Sequence, residues 1–113
     1  MIDGQTLMQE RESIKKSLNH SMDKMYKNGI DYAEKTREYR LRLAQAILLL
    51  RNQGVQISII DKIAKGQEQI AELEFEMLKA EVLYKSSQEN IMIQKKLFDS
   101  IEADIAREYN RTT

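Results

Sequence analysis

Nucleophilic catalysis needs an activated hydroxyl, thiol or amine held beside a base. Hydroxyls stand at Ser58, Ser86 and Ser87, but His20 is the only imidazole and lies far from them along the chain. Cysteine is absent, which excludes a disulfide scaffold and thiolate metal sites and leaves the redox compartment open. Carboxylates recur at helical spacing, Glu68 with Glu72 and Glu72 with Glu76. A carboxylate metal centre in a helical bundle also wants inward-facing Glu-x-x-His pairs, and this chain has none. These acids read instead as solvated residues in the first turns of a helix, where negative charge is favoured. Gly54 and Gly66 are spaced as helix ends. They do not form the glycine-rich cradle of a phosphate loop or a dinucleotide site. The residues therefore point to a non-enzymatic protein with no cofactor and no metal.

Recognition is better supplied than catalysis. Arg37, Arg40, Arg42 and Arg51 cluster in the first half, and Lys62 and Lys65 follow on a short segment between two glycines. These six are the candidate contacts to nucleic acid or to an acidic partner. A short helix carrying two lysines resembles a fragment of a helix-turn-helix, without the compact trihelical setting that motif needs. Net charge is zero, so no long-range field draws the whole chain to a polyanion. The halves differ, however. Residues 1–53 hold ten basic against seven acidic residues, and residues 54–113 hold eight against eleven. Two readings follow. The arginines run beside Glu72, Glu74, Glu76 and Glu81 of the same chain, or they form a basic binding face. A membrane is not expected. The longest apolar run, Ala44 to Leu50, falls far short of a span. The first arm sets Lys15, Lys16, Lys24 and Lys27 against Leu18, Met22 and Met25, but interspersed acids suit a partner helix better than lipid. The start, MIDGQTLMQERES, lacks a basic segment followed by an apolar one, so a cytoplasmic protein is expected.

Long helices must carry these residues. Proline is absent and glycine occurs only four times, so little interrupts a helix. Between 67 and 110, apolar or small residues recur at Ile70, Leu73, Met77, Ala80, Tyr84, Ser87, Ile91, Phe98, Ile101 and Ile105. Gaps mostly of three and four keep one stripe facing one way on a helix about 60 Å long. Phe75, Leu78 and Val82 make a second stripe beside it. In the first half, Leu7, Ile14, Leu18, Met22 and Met25 mark a thin stripe after a cap at Thr6. Tyr32, Tyr39, Leu43, Ala46, Ile47 and Leu50 continue it, widened by Ala33, Leu41, Ala44 and Leu48. The five tyrosines, Tyr26, Tyr32, Tyr39, Tyr84 and Tyr109, all sit near a stripe, where a ring packs and its hydroxyl reaches the rim. Asn28-Gly29 sits between the two parts as a kink or a break at 28–30. Gly54 suits a left-handed helix end. A short helix over 58–65 follows, opened by a Ser58-x-x-Asp61 capping pattern, closed by Gly66, and expected to pack on Phe75 and Leu78.

Taken together, YAEKTREYRLRLAQAILLLRNQG, DKIAKG, AEVLYKSSQENI and the closing IAREYN resemble small helical proteins of phages and prophages of Gram-positive bacteria. The resemblance covers residues 30–110. Its marks are Tyr39-Arg40, Leu43-Ala44, Leu50-Arg51, Gly54, Asp61, Ala64-Lys65-Gly66, Tyr84-Lys85 and Arg107-Glu108-Tyr109. It implies expression in an infected bacterial cytoplasm, beside replication or recombination genes, and carries no chemistry onto particular residues.

The expected fold is all-α. Two long antiparallel helices, 6–52 and 67–109, form a hairpin with a short helix at its tip, packed as in a coiled coil, in a single domain over 1–113. Two helices each bury one side only, so a homo-oligomer, a dimer first, is expected to complete a bundle. Its interface is expected along Leu7, Ile14, Leu18, Met22, Met25, Ile91, Phe98, Ile101 and Ile105. The function that follows is an accessory or adaptor role through protein–protein contact. The alternative is a nucleic-acid-associated accessory of phage DNA replication or recombination.

Overall fold

The structure, a computed structural model, describes residues 4–112. Among these residues three helices follow one another: α1 (Gly4–Asn52), α2 (Ile57–Gly66) and α3 (Glu68–Thr112). The fold is all-α, a hairpin of two long antiparallel helices with a short helix at the turn. Residues 1–3 and Thr113 lie outside the described residues. Gly4 and Gln5 are already helical, so Thr6 sits inside α1 and is not its cap. Helix α1 also runs unbroken through Asn28 and Gly29.

The end of α1 is a full Schellman turn. Gly54 takes a φ of +85°, its amide donates to the Arg51 carbonyl at 3.0 Å, and the Val55 amide donates to the Leu50 carbonyl at 3.1 Å. Val55 then packs beside Leu50, the apolar contact that usually accompanies this turn. The start of α2 departs from expectation. Gln56 is its cap, in extended conformation and with no side-chain bond to the helix, so Ser58 lies inside the helix. Asp61 pairs instead with Lys65 one turn on, at 3.2 Å. Gly66 ends α2 without a left-handed turn. Gln67 leaves in extended conformation, and its carbonyl accepts from the Ala71 amide at 2.9 Å, opening α3.

The chain packs as two compact units, a terminal one of Met1–Tyr26 with Lys85–Thr113 and a central one of Lys27–Tyr84. In the terminal unit, Leu7 and Ile91 are buried and Ile14, Leu18, Met25, Phe98, Ile101 and Ile105 are half-buried. Met22 is exposed, and the buried position beside it is Ser21. Ser21 Oγ accepts from Gln94 Nε2 at 2.9 Å and from Asn90 Nδ2 at 3.2 Å, a polar layer in an apolar seam. Polar layers of this kind fix helix register at some cost in stability, and Gln94 Oε1 is indeed buried without a protein partner. Arg11 reaches Glu102 and lies over the Phe98 ring, 5.5 Å from its centroid.

In the central unit the seam is Tyr32, Tyr39, Leu43, Ala46 and Leu50 against Ile70, Leu73, Met77, Ala80 and Tyr84, all buried or half-buried. The Tyr32 and Tyr84 rings meet at 6.2 Å, tilted by 39°. Helix α2 folds onto the end of α1. Its Ile60 and Ala64 join Leu50 in one buried cluster, with Leu43, Ala46, Ile47 and Val55 packed around it. The expected packing of α2 on Phe75 and Leu78 is therefore not found, and Phe75, Leu78 and Val82 stand 57%, 47% and 65% exposed. The reason is the Schellman turn. It reverses the chain tightly at Leu50, so the first apolar surface α2 meets belongs to α1.

Gly29 owes its place to the opposite helix. A Cβ built there would lie 3.0 Å from Cε1 of Tyr84 and 3.3 Å from its Cζ, so the ring rests on bare α1 backbone. Gly29→Ala gains about 1 kcal/mol of helix propensity and forfeits it by pushing the ring away. We expect no net gain in the wild-type chain, and a gain of about 1 kcal/mol when the substitution is made in Tyr84→Ala. Urea denaturation of the four proteins measures this, and equal effects in both backgrounds would remove Tyr84 from the explanation.

Candidate interaction surface

The site suggested by these residues is a surface. Among the described residues no group of three or more His, Cys, Asp or Glu is placed to hold a metal ion, and no helix is long and apolar enough to cross a membrane. The chemistry available is that of ridges, grooves and charges on the central unit.

The six basic candidates fall in two places. Arg37, Arg40, Arg42 and Arg51 are exposed on α1, and Lys62 and Lys65 are exposed on α2. Lys65 is held by Asp61. Among the described residues, none of the four arginines forms an ion pair; the central unit's pairs include Lys35–Asp31, Lys65–Asp61 and Lys79–Glu76. The reading in which these arginines pair with Glu72, Glu74, Glu76 and Glu81 of their own chain is thus not taken up. Tyrosine hydroxyls meet two of those acids instead. Tyr32 donates to Glu81 at 2.7 Å, and Tyr39 donates to Glu74 at 2.5 Å. Burial of Tyr39, then its bond to Glu74, push its phenol up to about 12. The sequence sets tyrosine rings near the stripes with their hydroxyls at the rim, and Tyr32, Tyr39 and Tyr84 do join the seam. Tyr26 and Tyr109 are exposed. What sequence reading missed is the acceptor of each hydroxyl. The signal was present, since Tyr32 and Tyr39 lie seven apart on α1 and Glu74 and Glu81 seven apart on α3.

The residues expected at an oligomer interface occupy the chain's own seam, with Met22 the exposed exception. The apolar surface left uncovered lies elsewhere. On α1, Ile30, Leu41 and Leu48 are exposed, with Ala33 and Ala44 between them. On α3, Phe75, Leu78 and Val82 are exposed at gaps of three and four, and on α2, Ile57, Ile59 and Ile63 are exposed. Two grooves run along the hairpin's flanks. One is bordered by Glu38 and Arg42 of α1 and by Gln69 and Glu72 of α3, and is mixed in charge. The other is mainly apolar, lined by Gly29, Tyr32, Ala33, Thr36, Arg37, Arg40 and Leu41 of α1 and by Tyr84 of α3.

Comparison with known proteins finds no matching family model, no matching curated protein and no matching solved structure.

Proposed function

We propose that this chain is a non-enzymatic accessory or adaptor protein that works by protein–protein contact, from a homo-oligomer with a dimer as its first form. The uncovered stripes on α1 and α3 of the central unit support this reading. Contiguous apolar surface bordered by charge marks a place for another protein. A hairpin of two helices also leaves the outer side of each helix without a core partner, which favours assembly. A phage or prophage setting in a bacterial cytoplasm rests on the resemblance of residues 30–110. One observation favours a second reading, an accessory of nucleic-acid metabolism: Arg37, Arg40, Arg42 and Arg51 have no carboxylate partner among the described residues.

Light scattering during size-exclusion chromatography at low salt, with and without a short duplex and a single strand, separates the two. A discrete oligomer whose mass ignores both nucleic acids supports the adaptor reading. A mass that rises with nucleic acid and falls back as salt is added moves the assignment to the second reading, because phosphate contacts are lost through counterion competition. A chain that stays monomeric at all concentrations counts against the oligomer.

A further inference from the structure

Resting on the homo-oligomeric reading above, we infer that the apolar groove of the central unit seats the same flank of a second copy of this chain, forming a two-fold four-helix bundle. The α3 side of that flank is a ridge of Glu74, Leu78 and Glu81, spaced by four and three and so on one side of the helix. Gln69 and Glu72 border the opposite groove with Arg42. By helical spacing the 74–78–81 ridge lies on the other side of α3, the flank on which Tyr84 lines the apolar groove. The α1 side is the ridge of Ala33, Arg37 and Arg40, also spaced by four and three, which lines the groove directly. One flank thus carries a basic ridge, an acidic ridge and a groove between them.

That arrangement is its own complement. A two-fold axis parallel to the helices lays α1 of each copy antiparallel to α3 of the other, at the same height as within one chain. The register within the chain is set by Tyr32 on Glu81, Tyr39 on Glu74 and Gly29 on Tyr84. Each step along α1 is one step back along α3, so Arg40 stands level with position 73 and Leu78 stands level with position 35. Applied across the axis, this register brings Arg40 to Glu74 of the second copy. It also drops Leu78, 47% exposed in one chain, into the groove beside Ala33, Thr36 and Arg37 of the other. Ala33 in that ridge lets the helices approach closely.

Charge decides the occupant. A phosphate backbone on Arg37 and Arg40 would meet Glu74 and Glu81 on the same flank, whereas a second copy supplies both signs in order and, with zero net charge, no long-range repulsion. The self-complementary patch is what an isologous interface requires. Two helices abreast over the Glu68–Tyr84 length span roughly 25 by 20 Å, about 500 Å² in projection before side-chain relief is added, against about 800 Å² per partner in an ordinary stable interface.

The test is solution mass by light scattering across a concentration series, with folding checked by circular dichroism. We expect twice the chain mass for the wild type. Leu78→Asp and Arg40→Glu, both at exposed positions, should each weaken the dimer by at least about ten-fold while keeping helicity. Mixing Arg40→Glu with Glu74→Arg should restore the doubled mass, because every Arg–Glu layer of the mixed dimer is complementary. If Glu74→Arg fails to fold, Leu78→Asp decides alone. A wild-type dimer unaffected by Leu78→Asp and Arg40→Glu overturns this interface and leaves the homo-oligomer reading standing. A wild-type assembly larger than two overturns the two-fold pairing. A monomeric wild type overturns both.

Discussion

Ile60→Asp is expected to lower the stability of the chain by about 4 kcal/mol, and Ile63→Asp, three residues on in the same short helix, by less than about 1 kcal/mol. Ile60 is 6% exposed and packs with Leu50 and with Ala64, which is fully buried. A carboxylate there loses the burial of a large apolar side chain and enters a cluster of Leu50, Ala64, Leu43, Ala46, Ile47 and Val55. Ile63 is 40% exposed and stays hydrated as an aspartate. Urea denaturation followed by circular dichroism measures both. Equal losses would mean that α2 does not dock on the end of α1 by its 60–64 face.

Alkali is expected to unfold this protein through Tyr39. The phenol is held neutral up to about 12, first because it is buried and then because it donates to the Glu74 carboxylate, with the charges of Glu74 and Asp61 adding to the effect. An unfolded tyrosine ionises near 10. Between the two values the unfolded chain gives up a proton that the folded chain keeps. The stabilisation is complete below about pH 10 and is lost as pH climbs toward 12, a fall of about 3 kcal/mol at most. Tyr39→Phe removes that part of the slope. At neutral pH it costs about 1–2 kcal/mol, because a half-buried Glu74 loses its donor. Denaturation midpoints for both proteins from pH 8 to 12 test this. Parallel curves would show that another group controls the alkaline transition.

The two substitutions differ in how far sequence anticipates them. Tyr39 stands in the periodic stripe of the first half and is read directly as a seam residue. Ile60 and Ile63 cannot be ranked from the sequence. Ile59 with Ile63 and Ile60 with Ala64 make two adjacent i, i+4 pairs on a ten-residue helix, and period alone offers two faces of nearly equal merit. The same ambiguity misplaced α2 on Phe75 and Leu78. Those residues form a good stripe, but the tight reversal at Gly54 brings α2 to Leu50 first.

What the sequence alone determined is the set of helices and the long seam. With no proline and few glycines, backbone hydrogen bonding runs unopposed, and gaps mostly of three and four keep one largely apolar stripe along each long helix. Gly54 was legible for the same local reason, since a left-handed φ strains every residue with a Cβ. Contacts between residues distant in sequence were decided only by the tertiary structure. Asn28-Gly29 carries a strong local turn signal, yet the helix continues because the missing Cβ makes room for the Tyr84 ring. Arg37 and Arg40 have acids on the facing helix, yet tyrosine hydroxyls reach Glu74 and Glu81 from inside the seam while the arginines point away from it. Local propensity and periodicity act over a few residues and are written in order along the chain. The register of one helix on another depends on which side chains fit, and here it sets Tyr32 on Glu81, Tyr39 on Glu74 and the Tyr84 ring on Gly29.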